Sequence, residues 1–222
     1  MCSQNRADIP KGLSDLQDRA KRRFDLCFAI PGFLVALPVI FISAVVSSLE
    51  TGEWGIFSQE RIGRYGKPFM VHKIRSMRTS IALTSTVTTS RDPRITRFGA
   101  LIRRLKLDEL PQLWNVIVGD MSLVGPRPDV AGWSDLLAGD DRVLLSVRPG
   151  ITGPASLAFR DEESLLSEAS DPDQYNRAVI WPRKIMINRN YISNWSLRGD
   201  VELLLETFGV KCRRNHLYSR WR

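Results

Sequence analysis

Two adjacent acids, Asp108 and Glu109, sit in the run Leu107-Asp108-Glu109-Leu110-Pro111, between two segments of helical periodicity. An ionised carboxylate can serve as a nucleophile, a base or a ligand for a hard cation. Neighbouring residues on a helix diverge by about 100°, so these two acids would do separate jobs, such as one nucleophile or base and one metal ligand. The commoner reason for acids at this place is structural. An acidic N-cap with an acidic first turn is an ordinary helix start, and the helix dipole helps to keep both carboxylates ionised there. The surroundings add a second reading. Arg91, Arg94, Arg97, Arg103, Arg104 and Lys106 precede the pair, and Arg127 follows it. Guanidinium forks match phosphate oxygens. For most of these cations taken singly, a solvated basic face is an equally good account. Arg127, between Pro126 and Pro128, and Arg148, before Pro149, differ because a stiff backbone aims their side chains.

Other chemistries lack material. The chain of 222 residues has only His72 and His216, too few for a His-based triad or a His-rich metal site. Cys2, Cys27 and Cys212 are odd in number and contain no CxxC, against a disulfide scaffold or structural zinc. Gly66-Lys67 lacks the spacing of a P-loop, no GxGxxG occurs, and His72 reads as a strand residue. With 32 Lys plus Arg against 24 Asp plus Glu, the net charge of +8 points to an anionic partner: nucleic acid, phosphates or lipid head groups. An apolar content of 43% excludes wholesale disorder.

The elements that must position the acids begin with an apolar segment. Residues 26–49 carry no charge, enough for a helix of about 36 Å against a bilayer core of about 30 Å. Arg19, Lys21, Arg22 and Arg23 precede it and Glu50 and Glu53 follow, which sets its N-terminal end in the cytoplasm. Pro31 and Pro38 lie inside it. A kinked span is one reading, and a helix broken near Pro38 that enters and leaves on one face is the other. Residues 57–78 read as two short strands around the turn Gly63 to Pro68. Residues 79–90 hold eight Ser or Thr in twelve positions and read as a surface loop. Helices are expected over 98–107 and 111–121, a Gly- and Pro-rich loop over 147–154, and mostly helix over 173–208.

The motifs together resemble a known family. Leu107 to Leu113, Asn115-Val116, Gly119-Asp120-Met121-Ser122 and Val124-Gly125-Pro126-Arg127-Pro128 are similar to the bacterial sugar transferases, the monotopic phosphoglycosyl transferases. The similarity extends upstream to Lys21-Arg22, Phe24-Asp25, Phe57, Gln59, Arg61, Gly63, Gly66 to Phe69 and Lys73 to Met77. Downstream it takes in Arg148 to Gly153. It covers roughly residues 19–208 and corresponds to the short catalytic form.

The resemblance implies an α+β, mostly helical, monotopic membrane protein. Its parts would be a re-entrant helix broken at Pro38, with Pro31 as a second break, interfacial amphipathic helices and a small β-hairpin. The expected organisation is a flexible N-terminus over 1–18, the basic flank and membrane helix over 19–50, a cytoplasmic catalytic domain over 51–208 and a basic tail over 209–222. The implied reaction moves a sugar-1-phosphate from a UDP-sugar to undecaprenyl phosphate, releasing UMP, at the cytoplasmic face of the bacterial inner membrane. It would be the first membrane step of polysaccharide or glycoconjugate synthesis. Asp108 would be the nucleophile, forming an aspartyl-phosphosugar, and Glu109 a ligand of Mg²⁺. Lys73, Arg75, Arg103, Arg127 and Arg148 would contact phosphate. The lipid bilayer is a partner, nucleic acid is not, and the family is compatible with downstream glycosyltransferases as partners and with an oligomer.

The sequence departs from the family at Leu37 (usually Ser), at Ile74 and Ser76, and over Pro154 to Ser156 and Phe159 to Asp161. The last two lie where donor recognition is expected, so the sugar is not carried over. A rival reading is a membrane-tethered binding protein for anionic lipid or nucleic acid. Such a protein would not need two acids inside an arginine-rich pocket.

Overall fold

The computed structural model describes residues 8–79 and 92–210. The expected Ser/Thr-rich loop lies almost wholly outside them, as does the end of the basic tail. The chain starts with one long helix, α1 (Asp15–Thr51). Its start is fixed by a capping box: Ser14 Oγ accepts from Gln17 N at 3.3 Å and Gln17 Oε1 accepts from Ser14 N at 2.8 Å. Its end is fixed by Gly52 at φ 75°, whose N–H reaches the Ser48 carbonyl. The helix therefore begins four residues before the expected basic flank. The break expected at Pro38 is absent from the backbone: helix runs on through both prolines. Each proline removes one hydrogen bond, and the turns on either side supply the rest.

One face of α1 is buried along its length, at Lys21, Asp25, Ala29, Ala36, Ser43 and Ser47. The spacing of four or seven places these residues in a stripe. Small residues in the middle let other elements approach closely. The remaining faces expose Phe28, Leu34, Val35, Phe41, Ile42 and Leu49. By length and composition this helix could cross a membrane.

Strands β1 (Ile56–Ile62) and β2 (Pro68–Ile74) form the expected antiparallel hairpin, in register from Ile56 opposite Ile74 to Ile62 opposite Pro68. Tyr65 (φ 61°) and Gly66 (φ 71°) make its turn. Helices α2 (Arg97–Arg104) and α3 (Gln112–Val118) follow, each shorter than the sequence suggests. Gly119, at φ 103°, ends α3.

Part of the Gly- and Pro-rich stretch over 147–154, expected as a loop, is instead a strand. Strands β3 (Ser122–Val124) and β4 (Gly150–Thr152) pair in parallel. They come so close to the segment after β3 that a Cβ on Gly150 or Gly153 would collide with the Gly125 backbone. Helices α4 (Pro154–Ala158), α5 (Glu162–Glu168), α6 (Pro172–Tyr175), a π-helical turn at Asn176–Ile180, α7 (Trp181–Ser193) and α8 (Leu197–Thr207) complete the domain. Val116, Met121, Val124, Ile180, Ile187 and Leu203 form the centre of its core.

Both ends of α1 are bound to this one body. At its start, Lys21 Nζ meets Asp200 Oδ2 at 2.5 Å, where neither side chain is more than 4% exposed. Tyr191 Oη (2.6 Å) and Trp195 Nε1 (3.1 Å) donate to the same carboxylate. Asp25 accepts from Ser122 Oγ and Leu123 N, and Arg22 donates to the Val116 and Ile117 carbonyls at 2.5 and 2.8 Å. In the middle, Phe33 lies against Trp114, ring centroids 5.8 Å apart. At its end, Ser47 Oγ donates to the Arg75 carbonyl and the Glu50 carboxylate accepts from Phe98 N at 3.2 Å. Aromatic and charged side chains of the C-terminal helices also engage the rest of the protein. Trp181 stacks edge-on with Trp133, Tyr191 is buried, and Arg189 pairs with Asp141.

Candidate active site

Asp108 and Glu109 lie in a single 3-10 turn, Leu107–Glu109, between α2 and α3. Lys106 adopts φ 57° to turn the chain out of α2, a conformation that costs most residues about 1 kcal/mol. Neither acid caps α3, whose N-cap is Pro111 with no side-chain bond. The capping account of the pair is therefore replaced by two distinct environments. Asp108 is 7% exposed, and its Oδ1 is buried with no hydrogen-bond partner among the described residues. Burial, then the neighbouring Glu109 charge, push its carboxyl above the usual range, although Lys73, Arg103 and Lys106 pull the other way.

Glu109 is gripped. Arg127 Nη2 donates to Oε1 at short range, Arg127 Nη1 lies 3.5 Å from Oε2, and Lys73 Nζ is 3.4 Å from Oε1. Burial by itself would raise this carboxyl, but the Arg127 and Lys73 charges outweigh it and hold it well below its usual value. Glu109 in turn raises the Arg127 guanidinium. Burial, then Arg127, push the Lys73 ammonium down to about 8.

Local structure explains the convergence. Asn115 on α3 clamps β2 by donating to the Met70 carbonyl at 2.7 Å and accepting from His72 N at 3.3 Å, which sets Lys73 beside the turn that carries the two acids. His72 itself is a strand residue, its Nδ1 2.8 Å from Ser58 Oγ. Ile62 N donates to the Asp129 carbonyl at 2.9 Å, holding the Pro126 to Asp129 segment against β1. Arg61 reaches Gln59 Oε1 at 2.7 Å and shares this neighbourhood electrostatically with Arg127, Asp129 and Glu109.

The sequence-chosen residues thus divide. Lys73 and Arg127 meet Glu109, and Arg103 acts on Asp108 through its charge. Arg75 instead pairs with Glu53 at 3.0 Å and donates to the Trp54 carbonyl. Arg148 pairs with Asp18 at 2.9 Å and donates to the Gly119 carbonyl. In this conformation Arg75 and Arg148 join elements and touch neither acid. Arg61, Asn115 and the backbone of Lys106 were missed as site residues. A glutamine or asparagine clamp has no signature in spacing, and a left-handed lysine has none at all. A further orphan is Gln112 Nε2, buried and without a partner among the described residues, one turn after Asp108.

No group of three His, Cys, Asp or Glu that could hold a metal occurs among the described residues. Magnesium commonly binds one or two carboxylates and takes its other ligands from phosphates and water. A single carboxylate held ionised, as Glu109 is by Arg127 and Lys73, fits that kind of site rather than an all-protein cage.

A buried carboxyl oxygen without a partner among the described residues, beside an acid held by two cations, is an arrangement able to receive a phosphate ester. The chain matches the bacterial sugar transferase family over residues 16–214, and it belongs to that family. It is 34% identical over 214 residues to a UDP-galactose-lipid carrier transferase of Erwinia amylovora, which covers 89% of this chain and 41% of that protein. It is 35% identical over 187 residues to the uncharacterized sugar transferase EpsL of Bacillus subtilis, 84% of each chain. It is 36% identical over 216 residues to an undecaprenyl-phosphate glucose phosphotransferase of Komagataeibacter xylinus, covering 94% of this chain and 38% of that protein. The chain thus spans about two fifths of two of these relatives and most of the third.

Proposed function

We propose that this protein transfers a sugar-1-phosphate from a nucleoside diphosphate sugar, a UDP-sugar, to undecaprenyl phosphate, through a covalent intermediate on Asp108. The observation that carries the reading is the division of the acid pair: Asp108 has an oxygen with no partner, and Glu109 has two cations. Attack by the Asp108 carboxylate on the sugar-bearing phosphorus forms one P–O bond. The bond to the UMP oxygen breaks, and UMP leaves with the electron pair. A phosphate oxygen of the acceptor then attacks the same phosphorus and releases the Asp108 carboxylate. An ionised carboxylate needs no base for this role. Lys73 and Arg127 neutralise charge on the diphosphate, which is where phosphoryl transfer needs most help. Glu109 would hold Mg²⁺, which would supply further neutralisation of the diphosphate when bound.

The same reading places the protein at the cytoplasmic face of the inner membrane, with α1 bending at Pro31 and Pro38, without an interruption of its helix, so that it enters and leaves on that one face. UDP-sugars are cytoplasmic, and the basic flank sets the start of α1 there. The support for re-entry is that Lys21 and Glu50, 29 positions apart, bind one polar domain. A helix crossing the bilayer would separate them by the whole hydrocarbon core of about 30 Å. UMP release from a panel of UDP-sugars, with and without undecaprenyl phosphate and magnesium, tests the function. A chain that bound anionic lipid but released no UMP from any donor would overturn it and return the tethered-binder reading.

A further inference from the structure

The cations around the acid pair fall into two sets of different character. Lys73 and Arg127, with Arg61 behind them, come from β2, β1 and the proline-bounded segment, and they close on Glu109. Arg103 and Arg104 end α2, and Lys106 follows them immediately before the turn that carries Asp108 and Glu109. This second set is interleaved with exposed apolar side chains at helical spacing, whereas the hairpin beside Lys73 exposes Phe57 and Met70 singly. Leu101 is 43% and Leu105 54% exposed on α2, and Trp114 is 48% and Val118 49% exposed on α3. Each pair is four residues apart, so each forms a ridge along its helix, and the two helices flank the turn that carries Asp108. Trp114 joins its ridge to α1 through Phe33, and α2 is fastened to α1 through Phe98 and Glu50. The apolar surface of α1 therefore continues onto the two helices beside Asp108.

We infer that this α2–α3 face is the acceptor's subsite, distinct from the donor's. The isoprenoid chain of the polyprenyl phosphate lies along Leu101, Leu105, Trp114 and Val118, and Arg104 and Lys106 draw its phosphate toward Asp108. The occupant follows from chemistry. A surface that passes from apolar to cationic over one helical turn matches a molecule with a long hydrocarbon chain and a phosphate head. A soluble sugar nucleotide has no use for the ridges, and a bilayer lipid has no use for the cations' proximity to Asp108.

The inference rests on the transfer reaction proposed above, and the half-reactions separate the two. Wild-type protein given UDP-sugar alone tests the function: release of UMP, about one per enzyme, means the donor step exists. The subsite is tested with Arg104→Ala and with Leu101→Ser/Leu105→Ser, which alter exposed side chains. Each should lower kcat/KM for undecaprenyl phosphate by about tenfold through KM. The rate of UMP release from donor alone should stay within about twofold. The Leu pair should also lose the preference for a long over a short, water-soluble polyprenyl phosphate, whereas Arg104→Ala should keep it. Equal losses in both half-reactions would overturn the assignment. An unchanged acceptor KM would do the same, including the case where only binding to vesicles of neutral phospholipid weakens, since the ridges would then touch bulk lipid.

Discussion

Asp108 and Glu109 are adjacent in the chain, yet Glu109 holds Arg127 and Lys73 while Asp108 has an oxygen with no partner among the described residues. The turn that carries them makes this division. On a continuous helix both acids would face solvent or α3's first turn. The left-handed Lys106 and the 3-10 turn bury Asp108 and aim Glu109 at β2 and at the proline-bounded Arg127.

The buried Asp108 carboxyl costs stability to ionise, so Asp108→Asn should fold at least as well as wild type. Transfer should fall at least ~10³-fold, as for loss of other covalent nucleophiles. Intact-protein mass spectrometry of wild type with donor alone should find one sugar-phosphate, mapped to Asp108. An adduct on another residue, or full turnover by the Asn variant, would remove Asp108 from this role.

Glu109→Gln keeps shape and removes the charge that pairs with Arg127 and Lys73. The variant should require more magnesium for half-maximal activity and should reach a lower maximum. A magnesium titration superimposable on that of wild type would show that Glu109 does not hold the ion.

Lys73 gives a pH dependence whose sign can be worked out. Its folded-state pKa is lowered to about 8, against about 10.4 in an unfolded chain. Below pH 8 the ammonium is charged and available to phosphate; above it the charge is lost, so activity should fall. Between the two values the unfolded chain binds more protons, so the Lys73 contribution to stability should rise with pH over the same window. Lys73→Arg stays charged, and its alkaline limb should shift to higher pH. Identical activity profiles for the two proteins would exclude Lys73 as the source of the limb.

Much of this site was legible because its information is local. The acid pair, the prolines around Arg127, the hairpin turn at Gly63 to Pro68 and the uncharged stretch are each written in consecutive residues. What the sequence concealed depends on distant partners. Arg148 and Arg127 both border prolines, but Asp18 engages the first and Glu109 the second. The β3–β4 pair is two strands of three residues, too short for periodicity, and is enforced by close glycine backbones. The break expected at Pro38 failed for a related reason: a proline weakens one turn, but contacts spread from Lys21 to Glu50 hold the whole helix.

Those contacts lead to a topological prediction. If the domain holds both ends of α1, residues on either side of the apolar segment face the cytoplasm. Lys11 and Trp54 are exposed at these two places, Trp54 at 76%. In a background with Cys2, Cys27 and Cys212 replaced by Ser, single variants Lys11→Cys and Trp54→Cys should escape an impermeant thiol reagent in cells with a permeabilised outer membrane. Both should react once the inner membrane is opened. Replacing Pro31 and Pro38 by Ala favours a straight helix by about 3 kcal/mol or more at each site. Moving Trp54 outward would also break the Ser47–Arg75 and Glu50–Phe98 contacts. It would further carry a charged domain through lipid, where each buried charge costs about 2.5–3.5 kcal/mol even on the most permissive scale. The second cost exceeds the first, so the double alanine variant should keep the wild-type labelling pattern. Labelling of Trp54→Cys from outside in that variant alone would make the prolines the determinant of topology. Labelling from outside with both prolines present would make α1 a spanning helix and separate the domain from cytoplasmic UDP-sugar.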